Sequence, residues 1–234
     1  MGRADATQLL RENLLADSAV LVAGTDRAPG DAGAEEGGSR SGAFAAAVSE
    51  LCAGLGARVG ACAPSAYAGE DAELELRVER ALGALGPLDV LVIDAASLFD
   101  AAGEAARALS GAQSGEGGQA HERAMLVGSL QASWNITHAV ANRAFLAQRR
   151  PGRIVYLAPA PDAGRHAEAA RAGLENLART LSIEWARHML TPVAIAPGER
   201  TAPGEVAALT AYLASPAGAY FSGCQLDLRG PRAG

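Results

Sequence analysis

Short apolar runs separated by amphipathic stretches most constrain this chain. "SAVLVAG", "LDVLVIDAA", "GRIVYLA" and "TPVAIAPG" are each four to seven buried-type residues long. Each is closed by Gly or Pro, or by a small residue. Continuous apolar runs of this length read as strands covered on both faces. Between them lie segments with apolar residues three and four apart, such as Phe44, Val48, Leu51 and Leu55, or Leu74, Val78 and Leu82. That spacing is helical. Alternation of strand and helix implies α/β architecture: one doubly wound parallel sheet of the Rossmann type, with helices on both faces and right-handed crossovers.

The length of 234 residues suits one such domain, 1–234. Aromatic residues make up only 4 %, so the core must be built from Ala, Val and Leu. Two segments lack a period and are rich in Gly: 25–41, expected to be a flexible insertion, and 109–120, expected to be a flexible loop. Between "ARVGACA" and "DAELELRVER" there is too little chain for a helix-plus-strand crossover, so about six strands are expected. Strand 88–96, a long helix at 121–148, a helix at 164–189 and a helix-and-strand segment at 203–230 complete the expected order.

The net charge of −6 argues against nucleic acid as a partner, because binding phosphate needs a basic face. All basic residues are Arg; the chain has no Lys. Cys52, Cys62 and Cys224 are scattered without metal-ligand spacing, so no metal is expected and the thiols read as free. No apolar run reaches membrane-spanning length, and no apolar leader opens the chain; a cytoplasmic protein is expected. The "NIT" at Asn135 is then a chance sequon.

"GPLDVLVIDAA", "GRIVYLAP", "RAGLENLARTLSIEWA", "VAIAPG" and "EVAALTAYLASPAGAYFSGCQLDLRG" together resemble the short-chain dehydrogenase/reductase family along nearly the whole chain. The resemblance implies hydride transfer with NAD(P), served by a Tyr, a Lys four residues later, a Ser and an Asn. In this sequence those positions fall on Ala167, Arg171, Pro159 and Ser129. Ala and Pro can exchange no proton. Arg171 keeps a charge but is fixed in protonation and differs in shape from Lys. His166, beside the Tyr position, and Tyr156, on the preceding strand, are the titratable groups that might substitute; one residue along a helix turns about 100°, which aims His166 elsewhere.

The family's glycine-rich phosphate loop matches Gly24, and its last G-x-G falls on Gly42-Ala43-Phe44, so that Phe44 would put a benzyl group where only hydrogen should fit. The family's N-N-A-G becomes Ile93-Asp94-Ala95-Ala96. Asp94 is read either as a carboxylate beside the cofactor or as a strand-end residue that caps a turn. No cofactor is expected on this reading, and NAD(P) if the alternative holds. After Pro197-Gly198 only "ERTA" remains where the family inserts a lid. The family's association segments, at 121–148, 164–189 and 203–230, keep an ordinary pattern. The resemblance therefore implies a catalytically inactive subunit, paired with an active paralogue. The alternatives are an active oxidoreductase with a non-standard site and a homo-oligomeric small-molecule-binding protein.

Overall fold

The computed structural model describes residues 10–24, 42–63, 71–110 and 117–230. The insertion expected at 25–41 lies outside them. Six parallel strands form one sheet: β1 (Ala19–Ala23), β2 (Arg58–Cys62), β3 (Val90–Ile93), β4 (Gly152–Leu157), β5 (Leu190–Ala196) and β6 (Gln225–Asp227). Their order is β2-β1-β3-β4-β5-β6. The chain thus winds outward from β1 in one direction to β2, and in the other direction from β3 to β6. The point of reversal lies between β1 and β3, which pair in register from Val20↔Val90 to Ala23↔Ile93. No further strand covers β2 among the described residues, and the strand count is the one expected.

Alternate residues of each strand feed two separate cores. Leu21, Leu91, Ile93, Ile154 and Tyr156 face one side; Val20, Val22, Val90, Val92, Val155 and Leu157 face the other. The first core is covered by α2 (Asp71–Leu85), α4 (Gly117–Val140) and α5 (Ala167–Glu184), through Val78, Ile136, Val140 and Leu174. The second is covered by α1 (Ala43–Gly54) and α6 (Pro203–Ala214), through Phe44, Val48, Val206 and Ala211. Pro203 opens α6, where its missing N–H leaves nothing unpaired. The Glu205 carboxylate accepts the Ala202 N–H at 2.9 Å.

The structure corrects several expected boundaries. The strand expected at 88–96 ends at Ile93, and a helix, α3 (Ala95–Ser110), begins two residues later. Of the segment expected as a loop at 109–120, α3 reaches Ser110 and α4 begins at Gly117; 111–116 lie outside the described residues. The helix expected at 121–148 is α-helical only to Val140 and continues as a π-helical turn, Ala141–Leu146. That turn lays the Phe145 ring over Gly152, where a Cβ would come within 2.5 Å of it. The helix expected at 164–189 is α5, followed by a 3₁₀ turn at Ala186–His188.

Candidate active-site cleft

In an open parallel sheet, ligands bind beyond the carboxyl ends of the strands, at the point where strand order reverses. Gly24 and Asp94 follow directly on the paired ends of β1 and β3 and flank that point. Gly24 N–H donates to the Cys62 carbonyl, and Asp94 N–H to the Ala23 carbonyl at 2.7 Å. Asp94 is wholly buried. It stands at the N-cap of α3, where Oδ1 accepts the Ser97 N–H at 3.2 Å. The Ser97 hydroxyl donates back to the Asp94 carbonyl at 2.8 Å. Oδ2 has no hydrogen-bond partner. Burial pushes the carboxyl up to about 6; the N–H groups of Ser97 and Ala45 oppose that shift.

What crowds Gly24 is this cap. A Cβ on Gly24 would lie 2.9 Å from the Ser97 hydroxyl and 3.1 Å from the Asp94 Cβ. Gly42, with φ +80°, precedes α1. The Phe44 ring is buried in the core between α1 and the sheet, with Val20, Val22 and Val48.

The second half of the cleft lies over β4 and β5. Arg171, on α5, is 2 % exposed. Its Nη1 donates to two carbonyls, Pro159 at 2.8 Å and Pro197 at 2.7 Å. One side chain thereby ties the loops that leave β4 and β5. Its Nε lies 3.5 Å from Glu168, and its Nη2 is buried without a partner. Burial lowers the guanidinium's pKa from its usual value; Glu168 opposes this and Arg229 adds to it. Glu168 is shared, with Arg229 3.6 Å away, and Arg229 pairs more closely with Asp227 at 2.6 Å.

Ala167, four residues before Arg171, packs with Ala170 against Phe99 of α3 in a small apolar cluster bordered by Met125 and Leu126. Phe99 also lies over Gly164, where a Cβ would meet its ring at 3.5 Å. Ser129 is buried on α4, and its hydroxyl donates to the Leu126 carbonyl at 3.0 Å. Ser133 and Thr137 continue this hydroxyl ladder along the helix. It ends on Tyr156, whose hydroxyl is 2.9 Å from the Thr137 hydroxyl. Tyr156 is therefore not at the cleft; it is buried in the core under α4, and burial raises its pKa well above the ordinary phenol value. His166 is half-buried at the N-cap of α5.

The turn after β5 is short and self-bonded. The Thr201 hydroxyl accepts the Gly198 N–H at 2.8 Å, and the Thr201 N–H donates to the Gly198 carbonyl. Beside it lies a cavity of about 560 Å³, lined among others by Glu168, Glu199, Arg200, Thr201 and Arg229.

The fold matches solved dehydrogenase structures. The chain has the fold of the short-chain dehydrogenases. A hydroxysteroid dehydrogenase from Escherichia coli superposes with a TM-score of 0.63 at 15 % identity, over 94 % of this chain and 98 % of that one. A citronellol catabolism dehydrogenase from Pseudomonas aeruginosa gives 0.64 at 19 %, over 94 % and 96 %. A variant short-chain dehydrogenase/reductase from Serratia marcescens gives 0.62 at 18 %, over 91 % and 96 %. No protein-family model matches the sequence, and no curated protein does.

Sequence reasoning assigned Ala167, Arg171, Pro159 and Asp94 to family positions; in the structure Asp94 follows β3, Arg171 reaches the Pro159 carbonyl beyond β4, and Ala167 packs on Phe99. It missed Phe99 and Ser97, because α3 was hidden behind an overlong strand. The signal was present in "SLFDAAGEAARAL": Leu98, Phe99, Ala102 and Ala106 recur at helical spacing, and all four are buried. Among the described residues no helix is long and apolar enough to cross a membrane, and no acidic, Cys and His side chains cluster as metal ligands would.

Proposed function

We propose that this chain is a degenerate short-chain dehydrogenase/reductase that does not itself transfer hydride, and that it works as a structural or regulatory subunit assembled with an active paralogue. The observation that carries this reading is the pair Arg171 and Ala167. The guanidinium is held by the Pro159 and Pro197 carbonyls, and the Ala167 methyl meets Phe99. Among the described residues, neither Ala167 nor Pro159 carries a side chain that can exchange a proton. General acid–base catalysis needs a titratable group in reach of the substrate.

The surface supports an assembly. Among the described residues, five of the six exposed large apolar side chains fall on segments 121–148, 164–189 and 203–230: Val127, Ile183, Met189, Tyr212 and Tyr220. Those segments make up about two-fifths of the described residues. Trp134 and Trp185 stack across α4 and the end of α5, with ring centroids 6.4 Å apart. Half-exposed aromatics of this kind anchor interfaces.

The test is a tagged purification from the native host, with mass spectrometry of what is recovered in near-equal amount. An intact short-chain dehydrogenase supports the reading. Recovery of the chain alone, as a homo-oligomer, overturns it. The cavity of about 560 Å³ beside Thr201 favours a second reading, a homo-oligomeric small-molecule-binding protein. A ligand-induced rise in melting temperature, in the absence of any partner, would select it. Saturable NAD(P)H binding with turnover would instead mark an active oxidoreductase with a non-standard site.

A further inference from the structure

A cavity of about 480 Å³ lies between α2 and the end of α4 and shares no lining residue with the one beside Thr201. Among the described residues that line it, Glu75 on α2 and Arg143 after α4 carry full charges, so the lining holds one carboxylate and one guanidinium. They meet each other, with Arg143 Nη2 2.9 Å from Glu75 Oε2, and both side chains are partly exposed. An ion pair in that position contributes little and opens at little cost. Leu74 and Trp134 supply apolar and aromatic wall. Trp134 stacks on Trp185 at the end of α5, with ring centroids 6.4 Å apart and planes at 23°. His138 lies 5.3 Å from the Trp134 ring, and the Asn142 amide nitrogen, 3.0 Å from His138 Nε2, braces the imidazole. The indole is thus held by contacts within the chain, and a wall already fixed loses little freedom when a ligand settles on it. Asn142 and Arg143 stand on the π-helical turn, where the Ala147 N–H reaches back to the Asn142 carbonyl at 3.0 Å. Such turns are rare and concentrate at functional sites.

We propose that this cavity binds a free α-amino acid with an apolar or aromatic side chain: its carboxylate takes Arg143, its ammonium takes Glu75, and its side chain lies against Trp134 and Leu74. The inference goes beyond the inactive-subunit reading and does not depend on it. An α-amino acid carries its two charges on one carbon, so it presents a cation and an anion side by side, as the Glu75–Arg143 pair does. Inserted between the two, it exchanges one exposed ion pair for two charge-assisted contacts. A ligand with one charge would open the same pair and leave one of its members without a partner. A ring on the ligand would meet the Trp134 wall offset or edge-on.

The experiment uses the full chain, with L-phenylalanine as the probe. Hydrocinnamate, which lacks the ammonium, and phenethylamine, which lacks the carboxylate, are the comparisons. Trp134 and Trp185 are the two tryptophans of the chain, so tryptophan emission reports on this wall. The expected result is a saturable change with L-phenylalanine, at least about ten-fold tighter than with either analogue, since a contact to a charged group is worth about a factor of ten or more. Glu75→Gln and Arg143→Gln each remove one pole and should each weaken binding at least about ten-fold, with the melting temperature little changed. No saturable change with L-phenylalanine overturns the proposal. So does an analogue that binds as tightly as the amino acid, or a folded variant that binds as the unmodified chain does. If a variant does not fold, the three ligands on the unmodified chain still decide. The inactive-subunit reading fails by other results, turnover with NAD(P)H or purification without a paralogue, so the two failures are distinguishable.

Discussion

Replacing Asp94 by Asn should stabilise the protein near neutral pH and change how its stability depends on acid. The carboxyl is wholly buried, and its pKa is raised from the ordinary 3.8 to about 6. The folded state therefore holds this proton more tightly than the unfolded chain does. The resulting stabilisation is complete below the unfolded pKa and is lost as the pH rises through about 6. A shift of about two units corresponds to about 3 kcal/mol of stability missing at neutral pH. Asn resembles the protonated acid in size and cannot ionise. The stability gap between variant and unmodified chain should therefore widen by about 2–3 kcal/mol between pH 4 and pH 7.5. Any fixed penalty of the amide, such as a poorer bond to the Ser97 N–H, is the same at both values and drops out. Urea unfolding followed by tryptophan fluorescence measures the gap, since Trp134 and Trp185 both pack on the helical layer over the sheet. A gap that does not change with pH would refute the reasoning, because it would mean that the carboxyl titrates as it does in the unfolded chain. An unmodified chain that is the more stable at pH 7.5 and the less stable at pH 4 would reverse the sign and refute it outright.

Three further outcomes concern buried side chains. Arg171→Ala leaves the Pro159 and Pro197 carbonyls without their donor and empties a buried volume, so it should cost about 2–4 kcal/mol in chemical denaturation. Phe99→Ala removes the ring between Ala167 and Gly164 and should cost about 3–5 kcal/mol, read as a lower urea midpoint. The Cys52 thiol is pushed up to about 12 by burial, so it should not react with a thiol reagent at pH 8 until denaturant is added; reaction in the folded state, detected by mass spectrometry, would show that it is accessible as thiolate.

The scaffold was legible because each strand carries its own signature. Val20, Leu21 and Val22, or Ile154 and Val155, are apolar on both faces of the sheet, and only a covered parallel strand tolerates that. The helix α3 was not legible by the same means. Its buried face is built from Ala95, Ala96, Ala102 and Ala106 as much as from Leu98 and Phe99, and in an Ala-rich chain an Ala stripe has no contrast. The apolar run 88–93 then drew the strand onward over Asp94, although an Asp followed three residues later by Ser is an acceptable helix start. A motif fixed the sequence position of Phe44, but that its ring packs into the core depends on the phase of α1 against the sheet.

The cleft has a different kind of obscurity. That Ala167 and Arg171 stand where the resemblance implies Tyr and Lys shows in one dimension; what their side chains meet does not. Arg171 reaches Pro159, twelve residues away, and Pro197, twenty-six away, only because β4 and β5 are neighbours. Asp94 meets Gly24 only because β1 and β3 pair in register. Phe99 meets Ala167 because α3 descends from the end of β3 toward the start of α5. All these contacts involve segments that follow the carboxyl ends of strands, where a parallel sheet leaves backbone groups and side chains facing a common crevice. A crevice of this kind must either hold a ligand or be filled by the chain, since an empty apolar hole forfeits packing and an unpaired polar group forfeits solvation. Here the positions and their neighbours match in chemistry: a methyl at Ala167 against a ring, a guanidinium at Arg171 against two carbonyls, a bare Gly24 against a carboxylate and a hydroxyl. On the proposed reading, such matching argues for residues selected together to fill this part of the crevice, with Arg171 Nη2 and Asp94 Oδ2 the polar atoms there that stay unpartnered among the described residues.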